Sequence, residues 1–308
     1  MRGLYTSLVL CVCLVFAGTS FAQSSCDLHI VVNVRDSRNG FVSDLHAASF
    51  HAKVAGREAV VTSADAFAGT NRVILMLDAS GSMSGDHDMR RWKLIKAFTE
   101  EIAASAPMSA KLAIVVFNTE VIRKVEFGHS RKELLAAIEQ TPNAAGRTSL
   151  WKSLLDASQM FGDPAPGDAM LVISDFGDNA SKGKSTDMQR AFAAKGIRLF
   201  GIGIFDHYFA TEEERLGPED FFALVKGTGG DVIKEIGQYR YNETGLLKLL
   251  FDQIGRFYVL KITPPSPLQK PERLNLSIFP DDHKRNKGMS LYYRESFAVW
   301  TVTNWMST

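Results

Sequence analysis

Between residues 71 and 256 the chain alternates two patterns that few folds accommodate together. Val73-Ile74-Leu75-Met76-Leu77, Leu112 to Phe117 and Met170 to Ile173 are short, wholly apolar runs, and Ile197 to Ile204 is a more interrupted version. A short run without polar alternation is what a strand needs when both of its faces are buried. Between the runs lie segments of helical periodicity: Met89 to Ala104, Arg131 to Glu139, Ser149 to Phe161, Thr186 to Ala194 and Glu219 to Val225. Thr244 to Phe257 closes the region, with Leu246, Leu247, Leu250, Ile254 and Phe257 on one helical face. Strands alternating with helices predict an α/β fold with a doubly wound, mostly parallel sheet covered on both sides. Val121 to Val125 follows its predecessor after a very short turn, which predicts an antiparallel edge strand.

The flanks read differently. Leu28 to Val34 is rich in β-branched residues, Asp36 to Gly40 is a turn cluster, and Phe50 to Val54 and Glu58 to Val61 flank a hairpin turn at Ala55-Gly56. Strand patterns return at Phe257 to Ile262, Leu274 to Ile278 and Ser290 to Tyr293, with a proline-rich loop at Thr263 to Pro267. Each flank is too small to hold a core alone. The expected organisation is therefore a small β-domain formed from both chain ends, residues 23–66 and 257–308, with the α/β domain, residues 67–256, inserted between its halves.

Residues 1–22 have the features of a secretory signal peptide. Arg2 supplies a positive start, Leu8 to Ala17 is an unbroken apolar run, and Ser20-Phe21-Ala22 offers small residues where a signal peptidase reads. The run is about half of what a bilayer span needs, and no later segment reaches ~18 uninterrupted apolar residues. The expected location is secreted or periplasmic, with cleavage near Ala22. Two of the three cysteines, Cys11 and Cys13, leave with the signal, so Cys26 has no intramolecular partner. That usage fits a bacterial exported protein better than a secreted eukaryotic ectodomain. Gln23-Ser24-Ser25 lacks the apolar residue of a lipidation box, so Cys26 reads as an unpaired thiol. Lys+Arg 35 against Asp+Glu 34 leaves no excess charge that would mark a general nucleic-acid or anionic-membrane binder.

Chemistry concentrates at the ends of the α/β strands. The first apolar run ends in Asp78-Ala79-Ser80-Gly81-Ser82-Met83, a carboxylate and two hydroxyls at alternate positions. In open parallel sheets ligands bind at the carboxyl ends of strands. Hard oxygen donors converging there suit Mg²⁺ or another hard divalent ion. Gly146-Arg147-Thr148-Ser149 precedes a helix, and Ser174-Asp175-Phe176-Gly177-Asp178 ends a strand, adding a hydroxyl and a second carboxylate at equivalent places. Asp178 reads as a turn residue, and Asp86, His87 and Asp88 as a solvated loop and the acidic first turn of the next helix.

Asp-x-Ser-Gly-Ser, a Thr about seventy residues on, and then a strand ending in Ser-Asp resemble the von Willebrand factor A domain and its metal-ion-dependent adhesion site (MIDAS). The resemblance covers about residues 70–256. The flanks resemble a bacterial subgroup, the acidobacterial VWFA-related proteins, through Val32, Val34, Asp36, Gly40, Val42, Leu45, Phe50 and Gly56, and through Phe257 to Leu260 and Tyr292-Tyr293-Arg294. The family's roles imply that Asp78 anchors the site through water or a hydrogen bond to a liganding hydroxyl. Ser80 and Ser82 would bind Mg²⁺ or Mn²⁺ directly, Thr148 would join them in the high-affinity state, and Asp175 would hold a metal-bound water. An ion held mainly by neutral hydroxyls keeps much of its field, and can accept a carboxylate from a protein partner as a further ligand. Phe176 stands where the family usually has Gly, and is expected to narrow the site or to offer the ligand an apolar contact. The resemblance also implies a last helix, Thr244 to Gly255, able to slide along the sheet.

The enzymatic readings are poorer. Gly81-Ser82-Met83-Ser84-Gly85 has the outline of a nucleophile elbow, but Met83 takes the nucleophile's place. An Asp78 phosphoryl nucleophile would have Ser80 where a general acid is needed. The expectation is a non-enzymatic, adhesion-type binding protein. The alternatives are a metal-dependent hydrolase at the same site and a structural scaffold whose site is unused.

Overall fold

A computed structural model describes residues 27–67, 69–84, 89–163, 165–182, 187–188, 191–192, 195–205, 212–233, 243–268, 270, 272–279 and 288–297. The signal segment 1–22, Cys26, Asp86-His87-Asp88 and part of the 186–194 stretch lie outside the described residues.

The wholly apolar runs form the inner strands of a six-stranded sheet. Its strands are β4 (Arg72–Asp78), β5 (Lys111–Phe117), β6 (Val121–Val125), β7 (Ala169–Ser174), β8 (Arg198–Gly203) and β9 (Val232–Ile233), in the order β6-β5-β4-β7-β8-β9. All neighbours run parallel except β6, which pairs antiparallel with β5 at one edge. Alternate residues of β4 feed two cores. Val73, Leu75 and Leu77 pack with Trp92, Ile95 and Phe98 of α1 (Arg90–Ser105), with α2 (Arg131–Glu139), and with Leu247, Leu250 and Ile254 of α5 (Glu243–Gly255). Ile74 and Met76 pack with Leu150 and Leu154 of α3 (Leu150–Ser158), and with Phe221 and Leu224 of α4 (Glu212–Thr228). The helix expected over Glu219–Val225 thus begins earlier and runs through Pro218, a residue that cannot donate its main-chain hydrogen bond.

A seven-stranded antiparallel sheet draws on both flanks. Its strands are β1 (Leu28–Arg35), β2 (Phe50–Val54), β3 (Arg57–Ala66), β10 (Tyr258–Thr263), β11 (Glu272–Ile278), β12 (Ser290–Tyr293) and β13 (Ser296–Phe297), in the order β12-β1-β10-β3-β2-β11-β13. Ala55 and Gly56, both at positive φ, turn β2 into β3. β12 borders β1 and β13 borders β11, so residues 290–297 reach both edges of the sheet. The Leu276 N–H donates to the Tyr293 hydroxyl at 3.1 Å, which ties β11 to β12 at the opposite edge. Leu28, Ile30, Val32, Phe50, Tyr258, Leu260 and Leu274 share the enclosed core.

β1 faces two ways. Its even-numbered side chains enter that core, yet Asn33 and Arg35 on the other face are buried too. They meet the last turn of α5. Asn33 Nδ2 donates to the carbonyls of Gln253 and Arg256, Arg35 Nε donates to Asn33 Oδ1 at 2.6 Å, and Arg35 pairs with Asp252. From β8, Arg198 donates to the Gln253 carbonyl at 3.2 Å and to the Ile254 carbonyl at 2.6 Å, and its guanidinium lies 4.4 Å from the Phe257 ring centroid. A helix end leaves carbonyls unpaired and carries partial negative charge, and these donors answer both. No described helix is long and apolar enough to cross a membrane.

Candidate metal centre

The register of the parallel strands assembles the site. Leu77 of β4 lies opposite Ile173 of β7, so one step further along, Asp78 meets Ser174. The Ser174 hydroxyl donates to Asp78 Oδ2 at 2.5 Å and accepts the Phe176 N–H at 2.9 Å. Asp78 Oδ1 accepts the Ser80 N–H at 2.9 Å, which curls the chain after β4 so that the Ser80 and Ser82 hydroxyls stand 3.1 Å apart.

Two main-chain bonds join this turn to the loop before α3, namely Gly81 N–H to the Gly146 carbonyl at 2.8 Å and Ala145 N–H to the Ala79 carbonyl at 2.9 Å. A Cβ on Gly81 would stand 3.1 Å from the Gly146 oxygen, so a side chain there would need the two loops to part by a few tenths of an ångström. Thr148, on that second loop, is buried. Its N–H donates to Asn179 Oδ1 at 2.9 Å, and its carbonyl accepts from the N–H groups of Asn179 and Ala180. The loop of Thr148 is thereby tied both to the loop of Ser80 and to the loop that follows Asp175.

Asp175 is buried, and its Oδ1 accepts the Gly177 N–H at 3.0 Å. Its Oδ2 is buried with no hydrogen-bond partner. Burial pushes the Asp175 carboxyl above its usual range, with the Ser82 hydroxyl, the Gly177 amide and the Arg91 guanidinium acting the other way. Burial and then the negative charge of Asp175 push Asp78 up to about 7, against the hydrogen bonds from Ser174 and Ser80. Both shifts come first from burial, which disfavours the charged carboxylates, and a cation in the centre would favour them again. Two carboxylates, one with an unpaired oxygen, and the Ser80–Ser82 hydroxyl pair are donors of the kind a hard divalent ion takes, and Thr148 lies on the loop bonded to theirs.

Phe176 departs from the sequence reading, whereas Asp178 is the loop residue it reads as, with a further role at a helix end. Phe176 neither narrows the site nor reaches a ligand. It is 0% exposed and turns inward at φ 65, stacking on Phe221 with centroids 4.1 Å apart and planes 7° apart. A left-handed backbone suits glycine, and here the aromatic stack holds a bulky residue in it. Asp178 serves α3, since its Oδ2 accepts the Trp151 N–H and its Oδ1 the Ser181 N–H, both at 2.9 Å. It caps a helix whose own Ser149 makes no side-chain cap. Sequence reasoning gave no site role to Ser174, whose hydroxyl links Asp78 to Phe176, or to Asn179, which holds Thr148. Ser174 had a visible signal, a hydroxyl next to Asp175 at a strand end, whereas Asn179 had none.

A family model described as von Willebrand factor type A domain matches residues 73–178, the stretch from β4 to Asp178. Among solved structures, the von Willebrand factor type A protein of Catenulispora acidiphila is 14% identical with a TM-score of 0.47, over 91% of this chain and 64% of that one. BatB of Bacteroides thetaiotaomicron is 15% identical with a TM-score of 0.47, over 59% and 98%. The pilus adhesin SpaC of Lactobacillus rhamnosus GG, in its open conformation, is 12% identical with a TM-score of 0.46, over 72% and 34%. No curated protein matches the chain. Residues 73–178 place a von Willebrand factor type A domain in this chain.

Proposed function

We propose that the protein is a secreted or periplasmic, non-enzymatic binding protein of the adhesion type. In this reading Asp78, Ser80, Ser82, Thr148 and Asp175 hold Mg²⁺ or Mn²⁺ and present it to a carboxylate on a protein partner. The observation that carries the reading is the buried Asp175 Oδ2 without a hydrogen-bond partner, beside a hydroxyl pair 3.1 Å apart. A buried carboxylate oxygen left unpaired is costly, and a cation-bound water is the kind of donor that would relieve it. The seven-stranded sheet is a supporting β-domain made from both chain ends, through which the metal-bearing domain is displayed. Export follows from the segment 1–22.

The experiment is retention of a partner from the source organism's envelope fraction on immobilised protein, with Mg²⁺ and with chelator. Alongside it runs Mn²⁺ calorimetry on the wild type, Ser80→Ala and Thr148→Ala. The reading requires one ion per chain, affinity at least about tenfold weaker in both variants because each deletes an oxygen donor, and retention that chelator abolishes. Unchanged affinity in both variants would sink the ligand assignment. Metal-dependent phosphoester turnover would replace binding by hydrolysis.

A further inference from the structure

A cleft opens between the α/β domain and the two-ended sheet, and it shares no residue with the metal centre. One wall is the last turns of α4 with the turn into β9, the other is β12 with Glu295, and the space between them is about 280 Å³. Glycine sets the separation, since Gly229 has φ 79 and a Cβ on it would stand 2.8 Å from the main chain of Tyr293. The Gly229 and Gly230 N–H groups close α4 on the carbonyls of Lys226 and Val225, at 3.1 Å each, so this wall is formed without a ligand. Phe222 on that wall is held edge-on against Phe176, with centroids 5.9 Å apart. Among the described lining residues two are acidic, Asp231 and Glu295, and one is basic, the exposed Lys226. Asp231 is anchored, its Oδ1 accepting the Val232 N–H at 2.8 Å and its Oδ2 the Gln253 side-chain amide at 3.2 Å. Each oxygen keeps a lone pair for a further donor. Burial and then the charge of Asp231 push the Tyr292 phenol above its usual range, with Arg35 acting the other way, so phenol and carboxylate are close neighbours. Arg35 itself is already paired with Asp252.

We propose that this cleft is a second binding site, for a small organic ammonium with an aromatic body. Small-molecule sites are concave, mostly apolar, lined by a few convergent polar groups, and common at domain junctions. The volume here is near the lower end of such sites, about 300 Å³, which suits a ligand built on one ring. Phe222 and Tyr292 supply aromatic surface on opposite walls, and Leu291 adds apolar surface beside Tyr292. Aromatic faces attract an ammonium through the ring quadrupole, and the fixed Asp231 carboxylate attracts it by charge. The C-terminal end of α4 adds partial negative charge to the same wall. Lys226, at that helix end, can keep its head group in water. An anion of the same shape meets two carboxylates and a helix C-terminus, and is disfavoured. The inference makes no use of the metal reading.

The test uses the full chain in chelator, with phenethylammonium as the probe, 3-phenylpropanoate as its anionic counterpart and 2-phenylethanol as the neutral one. Ligand-observed NMR titration measures the three affinities. Phenethylammonium should bind wild type with a Kd on the order of 1 mM, as expected for so small a ligand. 3-Phenylpropanoate should bind at least about tenfold more weakly, the scale of one charge–charge interaction in a partly screened site. Asp231→Asn should weaken phenethylammonium by about five- to tenfold and leave 2-phenylethanol unchanged, with Glu295→Gln acting in the same direction by less. Leu291→Trp, which fills the cleft, should abolish binding of all three. The gap between the ammonium and the alcohol should narrow as salt rises toward 1 M. Circular dichroism melting establishes that each variant folds, and if Leu291→Trp does not, Asp231→Asn and Glu295→Gln decide. No saturable binding of phenethylammonium by wild type overturns the inference, as does 3-phenylpropanoate binding equally well. Unchanged phenethylammonium affinity in Asp231→Asn and Glu295→Gln, or in a folded Leu291→Trp, overturns it too.

Discussion

A methyl group on Gly217 would stand 2.4 Å from the carbonyl oxygen of Phe176 and 2.9 Å from the Gly177 Cα. α4 therefore lies directly on the loop that carries Asp175, at a distance that only glycine allows. In an ordinary helix Gly→Ala stabilises by about 1 kcal/mol. Here the overlap reverses the sign, and Gly217→Ala should lower the melting temperature and weaken Mn²⁺ binding together. A melting temperature at or above wild type would refute the contact.

Phe176→Gly sets two effects against each other. Glycine relieves the left-handed backbone at φ 65, worth about 1–2 kcal/mol. It also removes a fully buried ring stacked on Phe221, a loss of about 3–5 kcal/mol in most cores. The loss of the ring outweighs the relief of the backbone, and urea denaturation should show Phe176→Gly destabilised by roughly 2 kcal/mol. A more stable variant would mean that strain, not the stack, dominates there.

The pH dependence has a definite sign. Asp78 is raised to about 7 when folded, whereas an unfolded aspartate titrates near 4. Between those values the folded, ion-free protein keeps a proton that the unfolded chain has released. Its contribution to stability is thus complete below about pH 4 and is lost as pH rises through about 7. The ion-free melting temperature of wild type should fall relative to Asp78→Asn between pH 5 and pH 8, as scanning calorimetry in chelator can show. Over the same range Mn²⁺ affinity should rise, because the proton must leave before the ion binds.

The end of α5 offers a stability test away from the metal. Asp252 pairs with Arg35, which is 0% exposed. Removing one partner of a buried pair leaves an uncompensated charge, at a cost of about 3–5 kcal/mol. Asp252 is 24% exposed, which places the expected loss for Asp252→Ala at the lower end, to be read from urea denaturation. The bonds from Asn33, Arg35 and Arg198 also bear on the sliding last helix that the family resemblance implies. Any slide of α5 along the parallel sheet has to break the Arg198 bonds, and carry β1 with it or break the Asn33 and Arg35 bonds too.

Fragments test the two-ended sheet. β1 pairs with β10 and β12, both from the C-terminal flank. Residues 27–66 alone would have the β2–β3 hairpin and no partner for β1, and two strands are marginal in water. That fragment should give a coil-like circular dichroism spectrum, while residues 66–256 should unfold cooperatively on their own. A cooperative transition in the short fragment would contradict the pairing.

What the sequence made legible follows from where each residue's information lies. Val73 to Leu77 announces a strand buried on both faces because both faces are apolar. Asp78, Ser80 and Ser82 announce a site because their donors are adjacent in the chain. Thr148 and Asp175 could be placed near them because parallel strands bring their carboxyl ends to one edge. Asn33 and Arg35 gave no such sign, since a polar residue on a strand reads as facing water until the partner across it is known. Glu219 reads as the start of a helix that in fact runs through Pro218 before it, where packing of Phe221 and Leu224 outweighs the lost hydrogen bond. Phe176 reads as a side chain free to face a ligand, and only its positive φ and the ring of Phe221 reveal that it points the other way.

The long reach of β1 has a consequence for how the protein is made. Its pairing residues Leu28 to Val32 must wait for Tyr258 to Ile262, and Val32 to Arg35 for Ser290 to Tyr293. A ribosome delivers those partners only after the whole α/β domain that lies between them and β1, so β1 is seated long after it is made. Until then the nascent chain cannot close its seven-stranded sheet, and remains open to any machinery that handles unfolded polypeptide.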